Sequence, residues 1–410
     1  MMKTQTMSAI HVFLAGALLM LAGQQGYAAD AGPAAGSPAQ LLQIVDGGKL
    51  DNVSTQKMTS AAVVKYFQKW VYVHSTEDYS LIEKGQKGLV HQFERGKDGM
   101  LTYVRDIVVP QAYHYGDFLF KSLPSGDGIV YWNMMRTARN EDLRELAWYS
   151  VSQKTGDWTP LGKTTLTNQG GFLLSPDKKF LYIVGVKILV FALDDKTGIP
   201  TKIADTVEAY PYQPRAWFNS VSCMTSDGKQ ILSGGFGADS MFHVGVYDRD
   251  AKTGLVSPRK SDLAIPDANV KDVIHGWYDC RMWMTPDGKH IYAQFNAWDH
   301  PLTITIVARN GDAGTLSFVK SFPLGTPGIL GLEFTRDSQS GYIGTGAPAR
   351  LLYFTRDSNT GEWSKFITVA DKEYEFMSVA IDAENHALYA TVFLHNAKDF
   401  KSKLYVYKLP

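Results

Sequence analysis

The stretch Ser175-Pro176-Asp177-Lys178-Lys179-Phe180-Leu181-Tyr182-Ile183 places a turn directly before a run of residues that favour β-strands. In the copies of this turn that contain Asp-Gly, that pair supplies the positive φ of a tight hairpin, and the proline fixes the entry angle of the chain. Aromatic and β-branched residues then favour a pleated strand. The stretch therefore predicts a β-hairpin.

Copies of this turn recur at nearly regular intervals. Their aspartates are Asp127, Asp177, Asp227, Asp287 and Asp337, with spacings of 50, 50, 60 and 50 residues. Weaker copies occur at 67–69 and 382–385. A second turn, usually Thr-Gly or a similar pair, lies at 97–99, 154–156, 196–198, 252–254, 312–314 and 359–361. Two hairpin turns per repeat indicate four strands per repeat.

Four-stranded units repeated in this way predict an all-β chain folded as a β-propeller. Counting turns gives seven units, which start near Trp70, Ile129, Phe180, Gln230, His290, Gly341 and Leu388. The last unit ends near Tyr407 and has no room for a fourth strand. We therefore expect the segment around Ile44 to supply that strand and close the ring, which removes an exposed sheet edge. The prediction is a seven-bladed propeller with four-stranded antiparallel blades.

The N-terminus indicates export. Lys3 precedes an apolar run at 9–22, and small residues lead to a candidate cleavage site at 26–29. We interpret 1–29 as a signal peptide, 30–40 as a flexible lead-in and 41–410 as a single propeller domain. The run is shorter than the about 20 residues that span a bilayer comfortably. We therefore expect a periplasmic or secreted protein that leaves the membrane after cleavage, with a retained anchor as the alternative.

The charge balance argues against a nucleic-acid partner. Lysine plus arginine equals aspartate plus glutamate, at 41 each, so no global field draws the chain to nucleic acid or anionic lipid.

The two cysteines, Cys223 and Cys280, are expected on the innermost strands of consecutive blades. An oxidising compartment permits a disulfide between them. Their positions relative to the two turns differ by three residues, about 10 Å along a strand, whereas a bridge needs Cα atoms within about 7 Å. Since a bulge can restore the match, bridged and free cysteines both stay open.

A propeller binds ligands at the mouth of its central channel, where loops and innermost strands of several blades meet. The mouth-end position of each innermost strand is expected about twelve residues before the aspartate turn. The catalytic candidates there are Arg215, His275 and Glu375, and the substrate-binding candidates are His114, Tyr115, Gln169, Trp277 and Glu373. Arginine can hold a carboxylate or phosphate through two bonds, and histidine can move a proton near neutral pH.

Motif searches add no other chemistry. The chain has no Gly-x-Ser-x-Gly elbow, no His-Glu-x-x-His pair, no haem-attachment motif and no phosphate-binding loop. The acidic turns at 194–195 and 248–250 are more typical of solvated turns than of calcium sites. We therefore predict neither a metal nor a cofactor. Because polar residues also line the wet channels of non-catalytic propellers, a structural role for the candidates is the alternative.

The combined turn and strand pattern resembles the lactonase-type seven-bladed propellers, which include bacterial 6-phosphogluconolactonases and muconate-lactonising enzymes. Its closest copies are 175–182 with 190–198, and 286–292 with 306–316. The resemblance covers nearly the whole mature chain. It implies a lactonase or cycloisomerase-like enzyme that acts on a small anionic or lactone substrate, with His, Arg and Glu residues around the channel mouth.

A second similar group is formed by the periplasmic propeller subunits of quinoprotein amine dehydrogenases. That resemblance implies a non-catalytic propeller that binds a partner protein or a ligand and carries no quinone itself. The two hypotheses differ in a simple observation, since only the first requires turnover of a lactone by the isolated chain.

Overall fold

The computed structural model divides into two compact units, Met1–Ala35 and Gly36–Pro410. Everything described below belongs to the second unit. The described residues are 38–46, 61–75, 88–109, 117–138, 141–166, 170–185, 187–208, 222–236, 241–258, 260–265, 278–297, 303–311, 313–324, 328–346, 349–372, 375–394 and 401–410.

These residues form β-strands throughout. The first half contains β1 (Gln40–Asp46), β2 (Ala61–Phe67), β3 (Trp70–Ser75), β4 (Gly88–Arg95), β5 (Leu101–Val109), β6 (Asp117–Ser122), β7 (Gly128–Ala138), β8 (Glu141–Val151), β9 (Trp158–Thr165), β10 (Gly170–Leu174), β11 (Phe180–Gly185), β12 (Lys187–Leu193), β13 (Pro200–Glu208) and β14 (Ser222–Met224). The second half contains β15 (Gln230–Phe236), β16 (Phe242–Asp248), β17 (Ser261–Ile265), β18 (Tyr278–Met284), β19 (His290–Ala297), β20 (Thr303–Asn310), β21 (Thr315–Pro323), β22 (Ile329–Phe334), β23 (Ser340–Thr345), β24 (Ala349–Arg356), β25 (Trp363–Lys372), β26 (Glu375–Asp382), β27 (Ala387–Leu394) and β28 (Lys401–Lys408).

The strands build seven four-stranded antiparallel blades. Blades 1 to 6 take four consecutive strands each, from β2–β5 to β22–β25, and blade 7 consists of β26, β27, β28 and β1. In blade 7, Ile44 lies opposite Tyr405 and Val45 opposite Leu404. The predicted ring closure by the N-terminal segment is therefore confirmed, and the second strand of each blade starts within one residue of the predicted position.

Hydrophobic clusters connect the blades into a closed ring. Among the described residues, each of seven clusters lies between two neighbouring blades. The cluster that joins blade 7 to blade 1 packs Tyr389 and Leu404 against Val71 and Val73. A sheet with two apolar faces is stable only when both faces are buried. In the closed ring, each blade buries its two faces against its two neighbours.

Both hairpin turns of a blade lie at the same end, because antiparallel strands alternate in direction. We call this end the turn face and the opposite end the loop face. In the turn of blade 3, the Asp177 carboxylate accepts hydrogen bonds from the Ser175 hydroxyl (2.5 Å) and the Lys179 amide (3.1 Å). Lys178, between them, has a φ of +56°. The recurrent aspartate therefore stabilises a turn that requires a left-handed residue.

The same aspartates also join neighbouring blades. Arg249 of blade 4 donates from Nε to the Tyr182 hydroxyl (2.6 Å) and from Nη2 to Asp177 (3.1 Å). The Tyr182 hydroxyl donates in turn to the carbonyl of Gly254 (2.9 Å) in the Thr-Gly turn of blade 4. We call this arrangement the arginine clamp.

Two other interfaces have the same clamp. Blade 5 supplies Asp287 and Tyr292 to Arg356 of blade 6, and blade 7 supplies Asp382 and Tyr389 to Arg95 of blade 1. Three of the turn aspartates, Asp177, Asp287 and Asp382, thus also bond to an arginine of the next blade, a contact that concerns the fold.

The two cysteines lie on the first strands of blades 4 and 5, as predicted. Cys223 is buried and has a free thiol, so it forms no disulfide. The registers agree with this result, because Cys223 lies opposite Leu232 and Cys280 lies opposite Phe295, three residues from the equivalent position at Trp283. Burial raises the pKa of the Cys223 thiol to about 12. The part of the chain described here contains no helix long and apolar enough to cross a membrane.

Candidate functional site in the central channel

Most of the site residues predicted from the sequence fall outside the described residues. These are His114, Tyr115, Gln169, Arg215, His275, Trp277 and Glu373. They belong to connections between the fourth strand of one blade and the first strand of the next. Glu375 is the first residue of β26 and lies opposite Phe393. The predicted assignments of these residues therefore remain predictions.

The described first strands line the centre of the propeller. In several neighbouring blades, the first strands contact one another directly. In six of the seven blades, the second strand has a tyrosine at one equivalent position. Each first strand has one residue that lies directly opposite this position. These seven residues, which we call the channel ring, are Lys65, Leu119, Leu173, Cys223, Trp283, Glu333 and Ala380.

The innermost strands contact solvent at the level of the channel ring. The residue that precedes each ring member is buried in every blade, whereas five of the seven ring members contact solvent. Leu119, Leu173 and Trp283 also pack against clusters between blades. The ring therefore lies at the inner edge of the blade interfaces.

Two charged residues lie in this otherwise uncharged ring. Lys65 of blade 1 and Glu333 of blade 6 are separated along the ring only by Ala380 of blade 7. The Lys65 charge is close enough to lower the pKa of Glu333, and the Glu333 charge raises the pKa of Tyr66. The carboxyl and the ammonium group therefore share one electrostatic environment.

Glu333 is exposed to solvent at its surface, yet protein atoms surround it closely enough for desolvation to be the main influence on its pKa. This crowding disfavours the carboxylate and raises the pKa of Glu333 to about 7, although Lys65 opposes the rise. A carboxyl group with a pKa near 7 can accept or donate a proton at neutral pH. Glu333 is therefore the described residue best suited to acid–base chemistry in the channel.

An arginine lies one layer further toward the loop face. Arg281 occupies the first-strand position two residues before Trp283, about 7 Å along the strand from the channel ring. Its guanidinium donates a hydrogen bond to the carbonyl of Leu330 in blade 6. Ser378 of blade 7 and Gly331 of blade 6 occupy matching positions in this layer. The channel thus contains a carboxyl group and two cations on three different blades.

Lys65, Arg281 and Glu333 were not among the residues predicted from the sequence. The prediction counted back about twelve residues from the turn, whereas Lys65, Arg281 and Glu333 lie nearer to the turn. A better signal is a charged residue an even number of positions before the turn. Glu333 and Arg281 follow that pattern, two and four residues before Thr335 and Thr285.

The channel has no evident cation site in its described part. No group of three or more His, Cys, Asp or Glu side chains that could hold a metal ion occurs among the described residues.

Comparisons with known proteins support the fold. No family model matches the chain, and no curated protein matches it in sequence. Solved structures do match, all at low sequence identity. The periplasmic gluconolactonase PpgL of Pseudomonas aeruginosa is 13% identical with a TM-score of 0.55, and the match covers 74% of this chain and 83% of that one. A putative 6-phosphogluconolactonase of Bacteroides fragilis is 15% identical with a TM-score of 0.54, over 76% and 84% of the two chains.

Propellers with other roles match equally well. A chain of the mitotic checkpoint complex is 12% identical with a TM-score of 0.54, over 94% of this chain and 97% of that one. The resemblance to lactonase-type propellers is therefore confirmed for the architecture. The protein is a seven-bladed β-propeller, similar in fold to gluconolactonases and 6-phosphogluconolactonases.

Proposed function

We propose that this protein is an exported lactonase or cycloisomerase-like enzyme that acts on a small anionic or lactone substrate in the central channel. The observation that carries the proposal is the placement of Glu333, Lys65 and Arg281 around one channel. The fold similarity to lactonase propellers is consistent with it, but a fold by itself does not determine an activity.

These residue types suit the hydrolysis of a lactone. The Glu333 carboxylate takes a proton from water, and the resulting hydroxide attacks the ring carbonyl. The ring C–O bond then breaks, and the leaving alkoxide takes the proton back from Glu333. The guanidinium of Arg281 and the ammonium of Lys65 stabilise negative charge on the substrate or on the oxyanion.

Arg215 and His275 remain part of the proposal at the loop face. Arg215 binds the anionic group of the substrate, because its planar fork matches a carboxylate or phosphate. His275 is the alternative to Glu333 as the group that moves the proton. Glu375 completes the proposed catalytic set. The segment 1–29 acts in this proposal as a signal peptide, which directs the enzyme to the periplasm or the exterior and is then cleaved.

The direct test is lactone hydrolysis by the purified mature chain, compared with two glutamate variants. Glu333→Gln keeps the shape of the side chain and removes the titrating group, so we expect kcat to fall about 100-fold or more. Glu362→Gln is the matched control, since Glu362 is an exposed residue paired with Lys320 outside the channel. Its kcat should be unchanged.

The pH profile tests the role of Glu333 independently. A general base works in its ionised form, so kcat/KM of the wild type should rise as the pH passes through about 7 and then level off. The rise should be absent from Glu333→Gln. A rate that instead decreases through this range would assign Glu333 the role of an acid.

Two further variants test whether His275 and Arg215, rather than Glu333, carry out catalysis and substrate binding. His275→Ala should lower turnover with little change in substrate binding if histidine moves the proton, and Arg215→Lys should weaken binding. Turnover that survives changes at both Glu333 and His275 would remove both from the mechanism. An absence of activity on any lactone, with a protein partner retained during purification, would favour the binding-subunit hypothesis.

A further inference from the structure

One interface between blades departs from the arginine clamp. Between blades 4 and 5, Arg309 takes the place of Arg249 and Arg356, but the tyrosine position is occupied by Leu232. Arg309 therefore has no phenol partner there. Its Nε and Nη2 both donate to the Gln230 side-chain oxygen, at 2.9 and 2.8 Å, and Nη1 donates to the Gly288 carbonyl at 3.3 Å.

The carboxylate contact of the clamp is also missing. Burial opposes ionisation of Asp227, the turn aspartate of blade 4, but hydrogen bonds from Thr225 and Lys229 and the nearby Arg309 charge hold its pKa below the ordinary value. Asp227 has no hydrogen bond to the Arg309 guanidinium among the described contacts. Within the described part of the chain, three of the five N–H donors of Arg309 are used. At this interface the neutral side-chain amide of Gln230 thus replaces the tyrosine and aspartate of the clamp. The described residues leave two N–H donors of the Arg309 guanidinium for another acceptor.

A cleft of about 310 Å³ lies at this altered interface. It is lined by Lys229, Gln230, Asp248, Arg249, Lys260 and Arg309. These residues come from the turns and from second and third strands, and no first strand contributes, so the cleft is separate from the channel. Its volume is at the lower end of the range for small-molecule sites.

The charges around the cleft favour an anion. Lys260 pairs with Asp248 at 3.1 Å, Arg249 pairs with Asp177 at 3.1 Å, and Lys229 lies 3.8 Å from Asp227. Four cations and one carboxylate thus line the cleft, and the Asp177 and Asp227 carboxylates adjoin it, so positive charge is in excess. The Lys229 and Lys260 side chains are 64% and 42% exposed, so both can turn toward a ligand at little cost.

We propose that this cleft binds a small phosphate-bearing anion. Arg309 supplies a planar pair of donors, which suits phosphate oxygens, and Lys229 and Lys260 supply mobile ammonium groups from two other directions. A phosphate group has several terminal oxygens and can accept hydrogen bonds from the guanidinium and from both ammonium groups at once. The site lies on the turn face and adds to the activity proposed for the channel.

The test uses inorganic phosphate as the probe, with calorimetry on the mature chain at low ionic strength. We expect wild type to bind with a dissociation constant of about 1 mM or tighter. Lys229→Gln and Lys260→Gln should each weaken binding about two- to fivefold, as expected for exposed charge pairs. Arg309→Gln should weaken it about tenfold or more, because the guanidinium donates charge-assisted bonds.

The controls separate the cleft from general charge effects and from the channel. Lys320→Gln removes one exposed positive charge far from the cleft and should change binding less than about twofold. Glu333→Gln should leave phosphate binding unchanged. The proposal is wrong if wild type does not bind phosphate, if Lys320→Gln weakens binding as much as Lys260→Gln, or if binding survives the changes at Lys229, Lys260 and Arg309. Since the lysines are exposed, their variants keep the test valid if Arg309→Gln does not fold.

Discussion

Two neighbouring interfaces on the turn face show how one repeat can serve two purposes. Between blades 3 and 4, Arg249 is 2% exposed and bonds to a carboxylate, a phenol and a carbonyl. Between blades 4 and 5, the equivalent Arg309 bonds mainly to the amide of Gln230, and a cleft opens beside it. The same backbone repeat thus holds a closed structural contact at one interface and an accessible cationic site at the next.

The largest expected difference concerns the two arginines. Arg249→Ala leaves the Tyr182 hydroxyl and the Asp177 carboxylate without their partner, so we expect a loss of about 3 kcal/mol in the free energy of unfolding. Arg309→Ala removes bonds to neutral groups and should cost about 1 kcal/mol. Urea denaturation of both variants measures this difference. Equal losses would show that the two interfaces do not differ as described.

Gly254 and Gly314, the glycines at equivalent positions of the second turn in blades 4 and 5, extend the comparison. Gly254 has a φ of +73°, and an added Cβ would lie 2.1 Å from the Phe180 ring, so Gly254→Ala should cost about 2 to 3 kcal/mol. Gly314 has a φ of +63°, but an added Cβ would meet the flexible amide of Gln230. We therefore expect Gly314→Ala to cost about 1 kcal/mol, mainly from backbone strain. Thermal unfolding of the two variants provides the test.

The smallest effect is a pH dependence at the closed interface. Burial opposes ionisation of Asp177, but hydrogen bonds from Ser175 and Lys179 and the ion pair with Arg249 hold its pKa below the ordinary value. A depressed pKa contributes stability above the unfolded-state value, and that stability is lost as the pH falls below about 4.

Unfolding measured at pH 7 and at pH 3 checks this expectation. Asp177→Asn should be less stable than wild type at pH 7, and the difference in stability should be smaller at pH 3. A stability gap of constant size across this range would mean that ionisation of Asp177 does not contribute.

Much of the fold was predictable because its signals are local. The aspartate and Thr-Gly turns depend on hydrogen bonds between residues two or three positions apart, such as those from Thr197 and Lys196 to Asp194. The number of blades followed from counting such turns. The closure by β1 was also predictable, since a blade with three strands leaves an edge that another segment must cover.

The candidate site was less predictable, because register rather than composition determines which residues face the channel. The prediction located the channel mouth by a fixed count from the turn, and most of the residues it selected lie outside the described part of the chain. Glu333, Lys65 and Arg281 meet only because three blades, separated by up to 268 residues between Lys65 and Glu333, present the same register to one axis.

The sequence by itself therefore determined the all-β class, the repeat, the blade count and the ring closure, since each follows from contacts between near neighbours in the chain or from an uncovered edge. Only the tertiary structure decided that Asp177, Asp287 and Asp382 bond to arginines of the next blade, that Cys223 stays a free thiol, and that a cleft lies beside Arg309. These features arise between blades. They depend on how distant segments pack, and no local pattern of residues specifies that packing.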